Sequence, residues 1–137
     1  MYLLDTNVIS ELRKPKPHGA VVAWIGAYQH VPMYISAVSV GEIQAGIEIT
    51  LEQDVSKAHD IERWLGRVTA NYEILPMNAL CFKQWAKLMH RQPDTFMMDA
   101  MIGATAKTFN LTIVTRNTQD FKHFDCAVMN PSRGTES

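Results

Sequence analysis

Short apolar runs alternate with longer amphipathic stretches along the chain, and this alternation constrains the fold more than any other feature of the sequence. The runs at residues 2–4, 33–35, 73–75, 111–115 and 127–129 have the length of strands. Most of the stretches between them carry apolar residues at helical spacing. Strands separated by helices pair in parallel, because the chain must cross back to the same edge between them. The sequence therefore predicts an α/β fold with a mainly parallel sheet of about four to five strands.

The length and composition predict one globular domain without a membrane segment. The 137 residues are 47% hydrophobic and 20% charged, which suits a single buried core. No apolar run approaches the roughly 18 residues needed to span a bilayer. The first five residues lack the basic region of a signal peptide, so we expect a cytoplasmic protein. The predicted domain covers residues 1–131, with a polar tail at 132–137.

The charge and the metal-binding residue types give only weak constraints on a partner. The net charge of −1 neither supports nor excludes a nucleic-acid partner, because the cations occur in local groups. The two cysteines lie far apart, and the five histidines are scattered singly. Neither set has the paired spacing that a zinc site favours.

The positions of two acids allow both a structural and a functional interpretation. Asp5 ends a predicted buried strand, and ligands of open parallel sheets bind outside the carboxyl ends of the strands. Asp5, or Thr6 beside it, could instead cap the following helix. Glu42 follows Ser39 by three residues, which is the spacing of a capping box, and this pattern alone favours a capping role.

Asp99 is harder to explain as a structural residue. On the predicted helix it shares a face with Ile102, Gly103 and Ala106, which are suited to packing against a sheet. An ionised carboxylate on such a face is costly to bury without a partner. The alternative is an aspartate that points to solvent from the first turn, where the helix dipole favours negative charge.

A fourth polar region follows the clearest predicted strand. It contains Thr115, Asn117 and Asp120, of which Asn117 could cap a turn and Asp120 could be exposed. One edge of the sheet could gather all four regions, and converging carboxylates repel one another unless a cation neutralises them. Oxygen ligands without histidine or cysteine suit Mg²⁺ or Mn²⁺. A metal-assisted phosphodiesterase follows as a hypothesis.

The same four regions resemble the motifs of PIN-domain ribonuclease toxins of the VapC and FitB type. Residues 3–11 resemble the opening of these toxins, and residues 36–42 resemble their second motif. Residues 98–106 are similar to their third motif, residues 115–121 to their fourth, and residues 130–131 to their ending. Each motif is short, but the ordered set spans almost the whole chain.

The resemblance implies a three-layer α/β/α PIN domain, a Mg²⁺ or Mn²⁺ site and endonuclease activity on RNA, with tRNA as a family-level substrate. Asp5, Glu42 and Asp99 match the acidic metal-binding positions. The matching polar supporting positions are Thr6, Asn7, Ser39 and Thr115. Asn117 replaces an aspartate that some members have, whereas other members keep asparagine and add an acid three residues later. Either Asn117 or Asp120 would complete the catalytic site.

The resemblance also implies a homodimer and a small antitoxin of the VapB type.

Two other classes of α/β protein with acidic sites do not fit the residues. A phosphatase with an aspartyl nucleophile needs a second acid two residues after the first, where this chain has Asn7. A phosphorylated receiver needs an acidic pair and a lysine after a late strand, where this chain has Arg116. The remaining alternative is a catalytically weak or inactive PIN-like partner that binds an antitoxin and represses their operon.

Overall fold

The computed structural model describes residues 1–133, which form a parallel five-stranded sheet between two layers of helices. The strands are β1 Tyr2–Leu4, β2 Met33–Ser36, β3 Glu73–Leu75, β4 Thr112–Val114 and β5 Val128–Met129. The α-helices are α1 Thr6–Arg13, α2 Gly19–Tyr28, α3 Ala37–Leu51, α4 Val55–Asn71, α5 Ala79–Met89 and α6 Met97–Phe109. Three short 3₁₀ helices cover Asp94–Phe96, Thr118–Phe124 and Pro131–Arg133. The predicted α/β class is confirmed.

The two faces of the sheet pack against different helices, because neighbouring side chains of a strand point to opposite faces. Leu3 of β1 and Ile113 of β4 belong to one buried cluster, whereas Leu4 and Val114 belong to another. The first cluster includes Ala100, Ile102 and Ala106 of α6 with Phe121 and Phe124. The second includes Val8 and Ile9 of α1, Val21 and Trp24 of α2, and Val68 of α4. These two clusters give the predicted three-layer arrangement.

The strand order locates the functional edge of the sheet. The order is β3-β2-β1-β4-β5, so the chain first adds strands on one side of β1 and then on the other. Leu4 pairs with Val114, and the residues that follow β1 and β4 are therefore neighbours. In open parallel sheets, ligands bind outside the carboxyl ends of the strands at such a reversal of strand order.

Asparagine and serine side chains mark several helix ends, and one of them corrects an expectation from the sequence. The Asn78 side chain accepts a hydrogen bond from the Cys81 N–H and caps α5. Asn110 ends α6 in the left-handed conformation at φ 56°. However, α3 begins at Ala37 with Ser36 as its N-cap, so Ser39 lies inside the helix. The capping-box interpretation of Ser39 and Glu42 is therefore wrong.

The end of the described chain folds back on the domain. Ser132 Oγ accepts a hydrogen bond of 2.9 Å from Arg116 Nε. The boundary at residue 131 stays a prediction, and residues 134–137 of the predicted tail lie outside the described residues. In the part of the chain that the structure describes, every helix is too short or too polar to cross a bilayer.

Candidate active site

Asp5 lies between the carboxyl end of β1 and the first turn of α1. It is 7% exposed, and its Oδ1 accepts the Thr6 N–H at 2.8 Å as the N-cap of α1. Its Oδ2 accepts the Thr115 hydroxyl at 2.8 Å. The capping and the site interpretations of Asp5 are therefore compatible, because each carboxylate oxygen has its own partner. Burial raises the pKa of Asp5, these hydrogen bonds lower it, and the charges of Glu42 and Asp120 raise it further.

Thr115 connects the loop after β4 to the start of α1. The buried hydroxyl donates to Asp5 and accepts from the Asn117 N–H at 3.0 Å and from Asn7 Nδ2 at 3.3 Å. Asn7 Oδ1 in turn accepts the Arg116 N–H at 3.2 Å. A hydroxyl has one proton to donate and two lone pairs, so Thr115 uses its full bonding capacity. These bonds fix the Asp5 carboxylate relative to the loop.

Glu42 is held by α1 rather than by its own helix. The Thr6 hydroxyl lies 2.8 Å from Glu42 Oε1 and 2.7 Å from Ser39 Oγ. Because a hydroxyl carries one proton and a carboxylate can only accept, Thr6 donates to Glu42 and accepts from Ser39. Ser36 caps α3 through the Val38 N–H instead. The predicted supporting residues Thr6 and Ser39 thus position Glu42.

Asp99 is half-buried in the first turn of α6, and it lies within reach of the charges of three other acids. Burial raises its pKa to about 6, and the nearby charges of Asp120, Asp5 and Glu42 add to the rise. The structure thus brings together the acids from the four sequence regions. We call Asp5, Glu42, Asp99 and Asp120 the acid pocket.

The loop after β4 separates the roles of the two residues that could complete the site. Asn117 is exposed, and its N–H donates to Thr115. Asp120 lies in the 3₁₀ helix Thr118–Phe124, and it is the acid whose charge acts most strongly on Asp99. The electrostatics favour Asp120 over Asn117 as the fourth member of the acid pocket.

The acid pocket has the chemistry of a hard-cation site. Within residues 1–133, none of its four carboxylates has a lysine, arginine or histidine within salt-bridge distance. The same residues contain no group of three acidic, histidine or cysteine side chains close enough to form a ready-made metal cage. Mg²⁺ usually keeps several waters and is held by only one or two carboxylates, so it fits this open arrangement. A zinc site would need nitrogen or sulfur ligands, which the pocket lacks.

A partly buried ion pair lies next to the pocket, and the sequence patterns assigned no role to it. Glu11 of α1 is 5% exposed, and it accepts hydrogen bonds from Lys14 at 2.9 Å and Arg116 at 2.6 Å. The Glu11 carboxylate also accepts the His18 N–H at 2.8 Å. The bond from Lys14 and then the bond from His18 lower the pKa of Glu11. The pair joins α1 to the residue next to Thr115. The sequence feature that could have pointed to this pair is an acid, Glu11, among the apolar residues of α1.

Thr115→Val is expected to lower the free energy of unfolding. Valine has a similar shape, but it leaves Asp5 Oδ2 and the Asn117 N–H without their partner, which costs about 1–3 kcal/mol in a buried site. Losing the hydrogen bond also raises the pKa of Asp5 further. Urea unfolding measures the free-energy change, and Thr112→Val in β4, the strand that Thr115 follows, is the matched control. Equal unfolding free energies for the two variants would contradict this role of Thr115.

The fold and the pocket define a class: three-layer α/β proteins with an acidic site where the strand order reverses. The chain belongs to the PIN-domain family, whose model matches residues 2–125. Toxin FitB of Neisseria gonorrhoeae is 33% identical, and the match covers 96% of this chain and 98% of FitB. The VapC ribonuclease Y4jK of Sinorhizobium fredii is 32% identical, with 96% and 97% covered. The crystal structure of FitAcB from Neisseria gonorrhoeae has a TM-score of 0.83 at 33% identity, covering 96% of this chain and 98% of that one.

Proposed function

We propose that this chain is the toxin of a toxin–antitoxin pair and that it hydrolyses phosphodiester bonds in RNA with Mg²⁺ or Mn²⁺. The observation that carries the proposal is the acid pocket, in which carboxylates from four parts of the chain meet without a protein cation to balance them within residues 1–133. The names of the relatives support the same function, since FitB is a toxin and Y4jK is a VapC ribonuclease.

The four acids have distinct tasks in this proposal. Asp5, Glu42 and Asp99 would hold the ion, in part through the waters that Mg²⁺ retains, and Asp120 would complete the site. A divalent ion bound there would polarise a phosphoryl oxygen and would make a water nucleophilic at neutral pH by lowering its pKa. Thr115 keeps the Asp5 carboxylate oriented, and Thr6 does the same for Glu42. A cation beside Asp99 would lower the pKa that burial and the neighbouring acids raise, and it would thereby favour the ionised carboxylate.

The proposed partners follow from the family motifs in the sequence. A small antitoxin of the VapB type would inhibit the toxin, because a basic side chain entering the acid pocket would satisfy its carboxylates. We further propose a cytoplasmic homodimer as the working form. The RNA substrate, with tRNA as the first candidate, would be cut in single-stranded segments, where unstacked bases are open to recognition.

The decisive experiment incubates the purified chain with total RNA and maps the new ends. We expect discrete cuts with Mg²⁺ or Mn²⁺ and none after chelation, because the acids alone cannot activate water at neutral pH. Refilling the chelated protein with Mn²⁺ should restore the same cuts. A folded protein that binds an antitoxin but leaves every RNA intact with either ion would favour the non-catalytic partner instead.

A further inference from the structure

A groove leaves the acid pocket between α1 and α3. One wall is a face of α1 with Thr6, Ser10 and Arg13 at helical spacing, and the opposite wall is a face of α3 that begins at Glu42. The α3 wall continues through Ile43, Gly46, Ile47 and Thr50. From Thr6 to Arg13 the groove runs about 10 Å along α1, at the helical rise of 1.5 Å per residue. We call it the α1–α3 groove.

A second cavity adjoins the groove at its far end. Arg13, Ile61 and Trp64 line both cavities, so the two are neighbours. The second cavity adds Lys57, Asp60 and Arg67, which lie on the same face of α4 as Trp64. The cavity volumes are about 260 Å³ and 270 Å³. Each is smaller than the roughly 300–1,000 Å³ of a drug-sized ligand pocket, so an extended chain that crosses both is the better fit.

The far end of the groove is positively charged. Arg13, Lys57 and Arg67 are exposed, and none of them has a carboxylate within salt-bridge distance in residues 1–133. The one acid that lines this end, Asp60, is paired with Arg63. The groove therefore runs from the acid pocket to a cluster of three cations, in a chain whose net charge is −1. We call this cluster the basic end.

The α1–α3 groove together with its basic end suits a single strand of RNA. Proteins bind single strands with a basic groove that follows the phosphates and with aromatic rings on which bases stack. Trp64 is half-buried where the two cavities meet and offers such a ring. An acidic peptide could also match the charges, but only a polynucleotide would place a phosphodiester in the acid pocket and further phosphates at the basic end.

We propose that the α1–α3 groove and its basic end bind the RNA strand that flanks the scissile phosphate. Lys57, Arg67 and Arg13 contact its phosphates, and Trp64 stacks on one of its bases. This inference rests on the proposed ribonuclease function, and it adds the path of the substrate outside the acid pocket.

The test measures RNA binding separately from cleavage. A fluorescent single-stranded RNA of about 12 nucleotides, a length within the usual range for such sites, is titrated by anisotropy at several salt concentrations without divalent ions. The double variant Lys57→Ala/Arg67→Ala should flatten the plot of log K against log salt by about 0.7 for each lost phosphate contact. Trp64→Leu should weaken binding without changing that slope. Lys83→Ala on α5 is the matched control and should leave both quantities unchanged.

Each outcome separates this inference from the proposed function. If the wild type binds and cuts the RNA, the double variant should raise KM and leave kcat unchanged, because the basic end lies away from the cut bond. If the wild type binds but cuts nothing, the slope change still supports the groove while the proposed function fails. An unchanged slope in the double variant overturns the groove. Binding of polyglutamate without binding of RNA also overturns it, and would indicate a peptide site.

Discussion

Asp99→Asn is expected to reduce RNA cleavage by at least about 100-fold while the protein stays folded. Removing a residue that only hydrogen-bonds to a metal ligand typically lowers metal affinity or activity by about 10–100-fold. Removing a ligand itself should therefore lower the cleavage rate by about 100-fold or more. Asparagine keeps the shape of the side chain and removes only its charge, so the packing of α6 is preserved. Initial rates on one RNA at saturating Mg²⁺ measure the loss.

Asp94→Asn is the matched control for this variant. Asp94 is exposed in the 3₁₀ helix that precedes α6, and the same substitution there should leave the rate unchanged. Asp120→Asn should also slow cleavage strongly, whereas Asn117→Ala should have a smaller effect, because Asp120 supplies the charge next to Asp99. A wild-type cleavage rate in the Asp99→Asn variant would exclude a role for Asp99 in the active site.

Mg²⁺ is expected to stabilise the folded protein at pH 7 and to lose this effect near pH 4. A ligand at 100 times its Kd that binds only the folded state adds about 2.7 kcal/mol to the free energy of unfolding. Protonation of Asp5 and Asp99, whose pKa values are both raised, abolishes binding, because carboxylates must be ionised to hold the ion. Thermal unfolding with and without Mg²⁺, at matched ionic strength in KCl, measures the effect.

Without the ion, the contribution of Asp99 to the free energy of unfolding should fall as the pH rises. A salt-bridged acid would show the opposite trend. The pKa of Asp99 is about 6 in the folded state against 3.8 for the free side chain, so the folded state binds more protons between these values. The contribution of Asp99 to stability therefore falls as the pH rises from about 4 to 6, and the full penalty remains above this window. Asp99→Asn should flatten that part of the curve and abolish most of the Mg²⁺ effect. Equal stabilisation of both proteins by Mg²⁺ would place the ion elsewhere.

The sequence predicted the parts of the site that depend on local pattern. The strand before Asp5 and the helix that carries Asp99 could be recognised from apolar spacing, and both acids lie where that spacing placed them. The predicted start of α3 at Ser39 was wrong, because Ser36 and Ser39 are equally good N-caps in the local sequence. Ser36 caps the helix because β2 runs directly into α3, which only the folded chain reveals.

The remaining parts depend on contacts between distant residues. No local pattern places β4 beside β1, so the bond from Thr115 to Asp5 could not be predicted. The pair of Glu11 and Arg116 joins residues that are 105 positions apart. The basic end of the groove likewise joins Arg13 of α1 to α4, although each cation alone resembles an ordinary surface residue.

The bond between Thr115 and Asp5 also bears on when the protein can become active during its synthesis. The two residues are 110 positions apart, and β4 pairs directly with the first strand. Most of the chain must therefore emerge from the ribosome before the Asp5 carboxylate acquires its partner and Asp120 enters the pocket. Nascent chains that stop before β4 lack the assembled pocket, so under the proposed function translation would be nearly complete before the site could cut RNA.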